Sequence, residues 1–200
     1  MTKQSRFLFS IPYFIWLLLF VVTPLGMIFY KSFFDINGQV TLGNYTNYFA
    51  SGNYLEMTFN SVWYAFLVTL VTLLVSYPTA LFLSRTKHKQ LWLLLIILPT
   101  WVNLLLKAYA FIGIFSQTGT VNNFLSLFGL APQEFLFTDF SFLTVAAYIE
   151  LPFMILPIFN SIEELPSSLI AASRDLGATK WDTFRRVIFP LTMNGVRSGV

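Results

Sequence analysis

Apolar positions in this chain come in long unbroken runs separated by short polar stretches, with neither the two-residue alternation of a half-buried strand nor the single stripe of a surface helix. The runs cover Phe7–Tyr30, Met57–Ser84, Leu91 to about Phe115, and Phe140–Phe159, and another begins near Leu191 and continues to Val200. A hydrocarbon core about 30 Å thick takes roughly 20 residues of helix, because in lipid only a helix or a closed barrel satisfies its own backbone. Runs of this length exceed the strands of an outer-membrane barrel. The predicted fold class is therefore all-α, a polytopic helical membrane protein, with about five transmembrane helices of which the last is incomplete. Prolines 12, 24, 78, 99, 152 and 157 fall in or near the spans, where each removes a donor and can kink a helix.

Two connecting stretches predict structure of their own. Between Gly119 and Leu130, Val121, Phe124, Leu125 and Phe128 recur at helical spacing, with Asn122 and Asn123 on another face, which predicts a short interfacial helix. Ser161–Pro190 reads as two short helices joined by a tight turn. Pro166 suits the first turn of the first helix, Gly177 the left-handed position that ends it, and Thr179 with Asp182 a capping box that starts the second.

Charge sets the orientation. Lys3 and Arg6 precede the first run, Arg85, Lys87 and Lys89 follow the second, and Arg174, Lys180, Arg185 and Arg186 follow the fourth. The alternate loops hold Lys31 against Asp35, Glu56, Glu134 and Asp139, so the positive-inside rule predicts a cytoplasmic N-terminus. Composition agrees with a bilayer environment: 56% of residues are hydrophobic and only 10% charged, against about 25% charged in soluble domains. There is no cysteine, which excludes a disulfide framework, a thiolate metal site and a cysteine nucleophile. The single histidine, His88, lies in a basic loop without a ligand cluster, so neither a metal site nor a membrane-embedded enzyme is expected. No phosphate-cradling Gly-x-x-x-x-Gly-Lys-[Ser/Thr] loop occurs.

The stretch Ala171-Ala172-Ser173, Arg174-Asp175-Leu176, Gly177, and then Val187, Phe189 and Pro190 resembles the cytoplasmic signature of the permease family of bacterial ATP-binding-cassette importers. Arg6-Phe7, Ile11-Pro12-Tyr13-Phe14-Ile15-Trp16, Leu151-Pro152-Phe153-Met154 and the Ala172–Ala178 segment carry a resemblance to the spermidine/putrescine branch across essentially the whole chain. The resemblance implies a single permease domain over residues 1–200, incomplete at its C-terminus against an expected six spans, with coupling helices at 161–190. It implies an inner-membrane location, a homologous second permease, two ATPase subunits that use the ATP, and an extracytoplasmic polyamine-binding protein, with lipid around the chain and no nucleic acid or cofactor bound to it. Ala171, Ala172, Ser173, Arg174, Asp175, Gly177 and Pro190 would form the ATPase-coupling element, and Ala171 stands where the family usually carries glutamate.

Inside the spans, Glu150 lies mid-helix, where an ionised carboxylate is expensive and by default functional. As a contact for a polycation it would act with Trp101, Tyr109 and Tyr148, whose ring faces attract ammonium groups. The alternative is a bundle-holding pair with Lys107, or with a residue of a partner. Tyr13, Tyr30 and Trp181 read as interface anchors. A permease for another cation, an iron complex or an organic anion, or a truncated fragment that does not transport, are the alternative functions.

Overall fold

The computed structural model describes residues 3–200, with side chains from residue 10 onward, so the charges of Lys3 and Arg6 lie outside the described set. Among the described residues the secondary structure is helical throughout, apart from one isolated antiparallel bridge between Phe34 and Val40. Four segments are long and apolar enough to cross a membrane: Ser10–Lys31, Gly52–Arg85, Leu104–Ser126 and Asp139–Glu163. The chain divides into two compact units, one ending at Ser61 and the other running from Val62 to Val200.

The first unit opens with α1 (Lys3–Leu17), a π-helical turn (Leu18–Val22) and α2 (Thr23–Lys31). Apolar side chains from Ile11 to Tyr30 are exposed around this rod, as expected of a helix whose solvent is lipid or a partner subunit. A tight loop follows, in which Asp35 accepts hydrogen bonds from the backbone of Asn37 and Gln39, both at 2.9 Å. Those amides, Gln39 first, hold the Asp35 carboxyl below its ordinary range. Helix α3 (Gly43–Ala50) then leads into α4 (Gly52–Arg85).

In the second unit, α4 meets α5 (Lys89–Ile97), α6 (Leu104–Phe115), α7 (Thr120–Ser126) and α8 (Asp139–Glu163). They are followed by α9 (Ser167–Asp175), α10 (Lys180–Thr183), a π turn (Phe184–Ile188), α11 (Phe189–Leu191) and α12 (Met193–Gly199). The core is built where α4, α8 and α12 converge: Tyr77, Ala80 and Leu83 pack with Met154, Ile155, Ile158, Phe159 and Val196. A glycine pair sets how closely α12 approaches α8. A Cβ on Gly195 would fall 2.6 Å from the Pro157 carbonyl oxygen, and one on Gly199 would fall 2.7 Å from Met154 Sδ. At the seam, the Tyr77 hydroxyl and Thr192 Oγ1 hydrogen-bond at 2.7 Å, and Thr192 Oγ1 also donates to the Ile188 carbonyl at 2.9 Å.

Two features depart from the predicted spans. The run Leu91–Phe115 is not one helix: after α5 comes a 3-10 turn (Leu98–Trp101), Val102 is extended, and Asn103 caps α6 by accepting from the Leu105 amide at 2.8 Å. Pro99 in the 3-10 turn and the capping Asn103 give the chain local alternatives to α-helix that hydropathy does not register. With 12 residues, α6 alone is about 18 Å long, and it reaches the length of a span only together with the segment through α7, Leu104–Ser126. Nor does a new helix simply begin at Leu191. The chain is already helical from Lys180, and Pro190 lies inside α11.

The prolines account for these irregularities. Before Pro24 and before Pro190 the helix widens into a π turn, with Thr23 and Phe189 donating their amides five residues back, to Leu18 and Phe184. A proline lacks an N–H and crowds the carbonyl four residues behind it, and the wider turn relieves both problems. Pro12, Pro78, Pro152 and Pro157 instead sit within uninterrupted α-helix.

Candidate functional site

The stretch after α8 forms the rigid elbow that its glycine and capping residues predict. Helix α9 ends in a Schellman motif, in which Gly177 donates to the Arg174 carbonyl at 2.8 Å and Ala178 to that of Ser173 at 3.1 Å. The motif places Gly177 at φ +80°, where a side chain would be strained. Thr179 then opens α10 with a full capping box, its Oγ1 accepting from the Asp182 amide at 3.1 Å while the Asp182 carboxylate reaches back to the Thr179 amide. The Thr179 hydroxyl, foremost among its neighbours, holds the Asp182 carboxyl below its ordinary range, and Arg186 and Arg185 add to the effect.

The two arms of the elbow are pinned together. Ser173 Oγ donates to the Ile170 carbonyl at 2.8 Å and hydrogen-bonds Thr183 Oγ1, itself buried, at 3.0 Å. The other signature residues lie outside: Ala171, Ala172, Arg174, Asp175, Gly177 and Pro190 are exposed. Leu176, part of the quoted signature but not of the expected coupling residues, is 88% exposed at the apex, and Trp181 is expected as an interface anchor. Trp181 is exposed on α10 and stacked on Phe184, with ring centroids 5.4 Å apart. Below the elbow, Lys89 at the start of α5 and Glu163 at the end of α8 form an ion pair. Each charge opposes the dipole of its own helix end, so the pairing also offsets that mismatch.

The residues expected along a substrate path are spread over α5 to α8. Glu150 is exposed on α8, and no ion pair links it to Lys107, which is half-buried on α6. Tyr148 packs edge-on against Phe111 at 5.1 Å. Two positions apart on a helix of 3.6 residues per turn, Tyr148 and Glu150 face about 200° apart. Trp101 at the helix break and Tyr109 on α6 are 83% and 70% exposed. Tyr148 therefore does not share the face of Glu150.

What the structure does gather is a cavity of about 620 Å³ at the end of the bundle opposite the elbow, where α4, α6, the segment before α8 and the start of α8 meet. Its lining is almost wholly apolar, including the rings of Phe111, Phe115, Phe137 and Phe142. The polar exception with a charge is Asp139, the first residue of α8, whose Oδ1 accepts from the Tyr64 hydroxyl at 2.5 Å. Phe137 has φ +61°, a left-handed conformation that costs a non-glycine residue of order 1–3 kcal/mol, and its side chain is 97% exposed at the cavity's edge. Nearby, α7 holds its loop through the buried Asn122, which donates to the carbonyls of Ser116 and Gln133 and accepts from the Gln133 amide at 2.8 Å. The sequence offered Asp139 only as a loop charge, and gave no reason to join it to Tyr64, 75 residues away.

Across 194 residues, 92% of this chain and 70% of the relative, the sequence is 39% identical to the spermidine/putrescine transport system permease protein PotB of Escherichia coli. The chain belongs to the PotB family of permeases. The protein of that name from Haemophilus influenzae is 36% identical over 196 residues, with 93% of this chain and 68% of the relative aligned. No protein-family model matches the sequence. The PotB-family fold also superposes on a chain of the bacterial alginate ABC transporter crystallised with its alginate pentasaccharide-bound periplasmic protein. There the TM-score is 0.77 at 20% identity, over 96% of this chain and 68% of that one. At that identity the likeness is one of fold alone.

Proposed function

We propose that the chain is the membrane-spanning permease subunit of an ATP-binding-cassette importer and moves polyamines, spermidine and putrescine, across the bacterial cytoplasmic membrane by alternating access. The observation that carries the reading is 39% identity to a named spermidine/putrescine permease, aligned over 92% of this chain. The elbow supports the energetic half of the proposal. A separate ATPase pair consumes the ATP, consistent with a sequence that has no phosphate-binding loop of its own. The elbow of α9 and α10, with the N-terminus on the same cytoplasmic side, docks on that pair through Leu176, Trp181 and the exposed faces of Ala171, Ala172, Arg174, Asp175 and Gly177.

Motion at the elbow has a continuous mechanical route into the membrane. The Ser173–Thr183 bond joins its arms, α9 follows α8 directly, and the π turn and α11 carry α10 into α12. Helix α12 is locked to α8 by its glycine pair, and the Tyr77–Thr192 bond brings in α4. Closure of the ATPases would therefore move α4, α8 and α12 as one body against a homologous second permease. An extracytoplasmic binding protein supplies the polyamine, and Glu150, with Trp101, Tyr109 and Lys107, lines the path completed by the partner, while Tyr148 packs on Phe111 on the other face of α8. The chain itself binds no cofactor.

Uptake of radiolabelled spermidine and putrescine by permease-deficient cells supplied with the partner subunits tests the reading. The chain restores uptake of one or both, and Glu150→Gln at equal membrane abundance removes it. A fully assembled complex that imports neither polyamine refutes the assignment.

A further inference from the structure

The cavity beside Asp139 has a chemistry that the coupling machinery does not use. Its volume, about 620 Å³, falls within the range of roughly 300–1,000 Å³ that small-molecule pockets occupy. Lysine, arginine and histidine are absent from its lining, which leaves Asp139, itself exposed to solvent, as the one charged group of an otherwise mostly apolar lining. Of the two carboxylate oxygens, Oδ1 takes the Tyr64 hydroxyl, while Oδ2 has no hydrogen-bond partner among the described residues. Aromatic residues share the lining with Asp139: Phe111 and Phe115 on α6, Phe137 before α8, and Phe142 one turn into it. The Asp139 charge disfavours an anion in this lining. A carboxylate with aromatic faces attracts an ammonium group, and the same rings cover a chain of methylenes.

We propose that this cavity is a binding site for one ammonium end of an alkyl polyamine, with Asp139 Oδ2 accepting from the ammonium and the Phe111, Ile112 and Phe142 side chains covering the adjoining methylenes. The inference rests on the polyamine reading for its ligand and extends it with a site at the end of the bundle opposite the elbow, separate from Glu150. One observation points to an occupant beyond the general fit: Phe137 is held at the cavity's edge in a strained backbone conformation with its ring almost fully exposed.

The test uses the complete transporter, this chain with its partner permease and ATPases, in phosphatidylcholine nanodiscs. Equilibrium binding of radiolabelled spermidine is measured in a Glu150→Gln background, so that the path acid does not contribute, and uptake is measured with Glu150 intact. Asp139→Asn keeps an acceptor for the Tyr64 hydroxyl but removes the charge, and weakens binding by about tenfold or more, as expected for loss of a charged hydrogen bond. Tyr64→Phe removes the tie and keeps the carboxylate, so its loss stays below about threefold. The reverse ranking would make Asp139 merely a strut between α4 and α8, and would overturn the site. So would equal affinities with and without the Asp139 charge, or a phospholipid retained through purification that spermidine fails to displace as followed by mass spectrometry. Failure of the Glu150-intact complex to import spermidine counts against the polyamine function alone, because the binding comparison still reads the site.

Discussion

Replacing Gly195 with alanine should separate α12 from α8 and destabilise the assembled core. An added Cβ would lie 2.6 Å from the Pro157 carbonyl oxygen, 2.6 Å from Ser161 Cβ and 3.0 Å from Ile158 Cα. Ordinary contacts begin near 3.4 Å, so the helices must part by about 0.8 Å, and two of the three obstructing atoms are backbone. A gap of 0.5–1 Å forfeits roughly a quarter to a half of the dispersion well between facing atoms, and overpacking of this kind costs about 1–3 kcal/mol. At roughly 2–4 °C per kcal/mol for a chain of this size, the melting temperature of the purified complex, followed by tryptophan fluorescence, should fall by about 2–12 °C. Gly199→Ala should cost less, because its nearest obstacle is the end of a flexible side chain, Met154 Sδ at 2.7 Å. Gly26→Ala is the control, having nothing within 4 Å of its added carbon. A Gly195→Ala complex that melts at or above the parent's temperature would refute the close-approach argument.

Thr72 and Ser76 are completely buried on α4, and their hydroxyls have no hydrogen-bond partner. Thr72→Val and Ser76→Ala should therefore leave thermal stability unchanged or raise it by about 1 kcal/mol, whereas a clear loss would reveal an unrecognised partner. Thr179→Ala should lower the helicity of the elbow by about 1 kcal/mol of cap energy, read as faster amide exchange at Lys180–Thr183. Asp182 and Asp35 are both held below their unfolded range, so their contributions are fully present above about pH 4 and disappear as pH falls through their folded values. Carboxyl NMR titrations should accordingly show both groups charged throughout pH 5–8, and titration of either within that window would contradict the hydrogen-bond account. Lys89→Gln should cost under about 1 kcal/mol in the melt, because the Lys89–Glu163 pair is solvent-accessible on both sides.

Much of this protein could be read directly from its residues, for a physical reason: the features concerned are local. A run such as Phe140–Phe159 has no environment other than lipid or protein that suits it, so the presence of α8 followed from length and hydropathy alone. The elbow was equally legible, because Gly177, Thr179 and Asp182 act within one or two turns of their own positions, although Pro166 stands at the N-cap before α9 and not in its first turn. Where hydropathy misled, it did so at Pro99 and Asn103, whose backbone chemistry interrupts a helix without changing its apolar character. Tertiary structure alone decided which distant positions meet. It brought Tyr64 to Asp139, Tyr77 to Thr192 and Lys89 to Glu163, pairs separated by 75, 115 and 74 residues. It also turned Tyr148 toward Phe111 and left Glu150 exposed on another face of α8. In a chain where apolar residues cover nearly every face, burial carries little information about which face of a helix meets which neighbour. Close approach at Gly195 and a few polar contacts make that choice, and both depend on positions far apart in the chain.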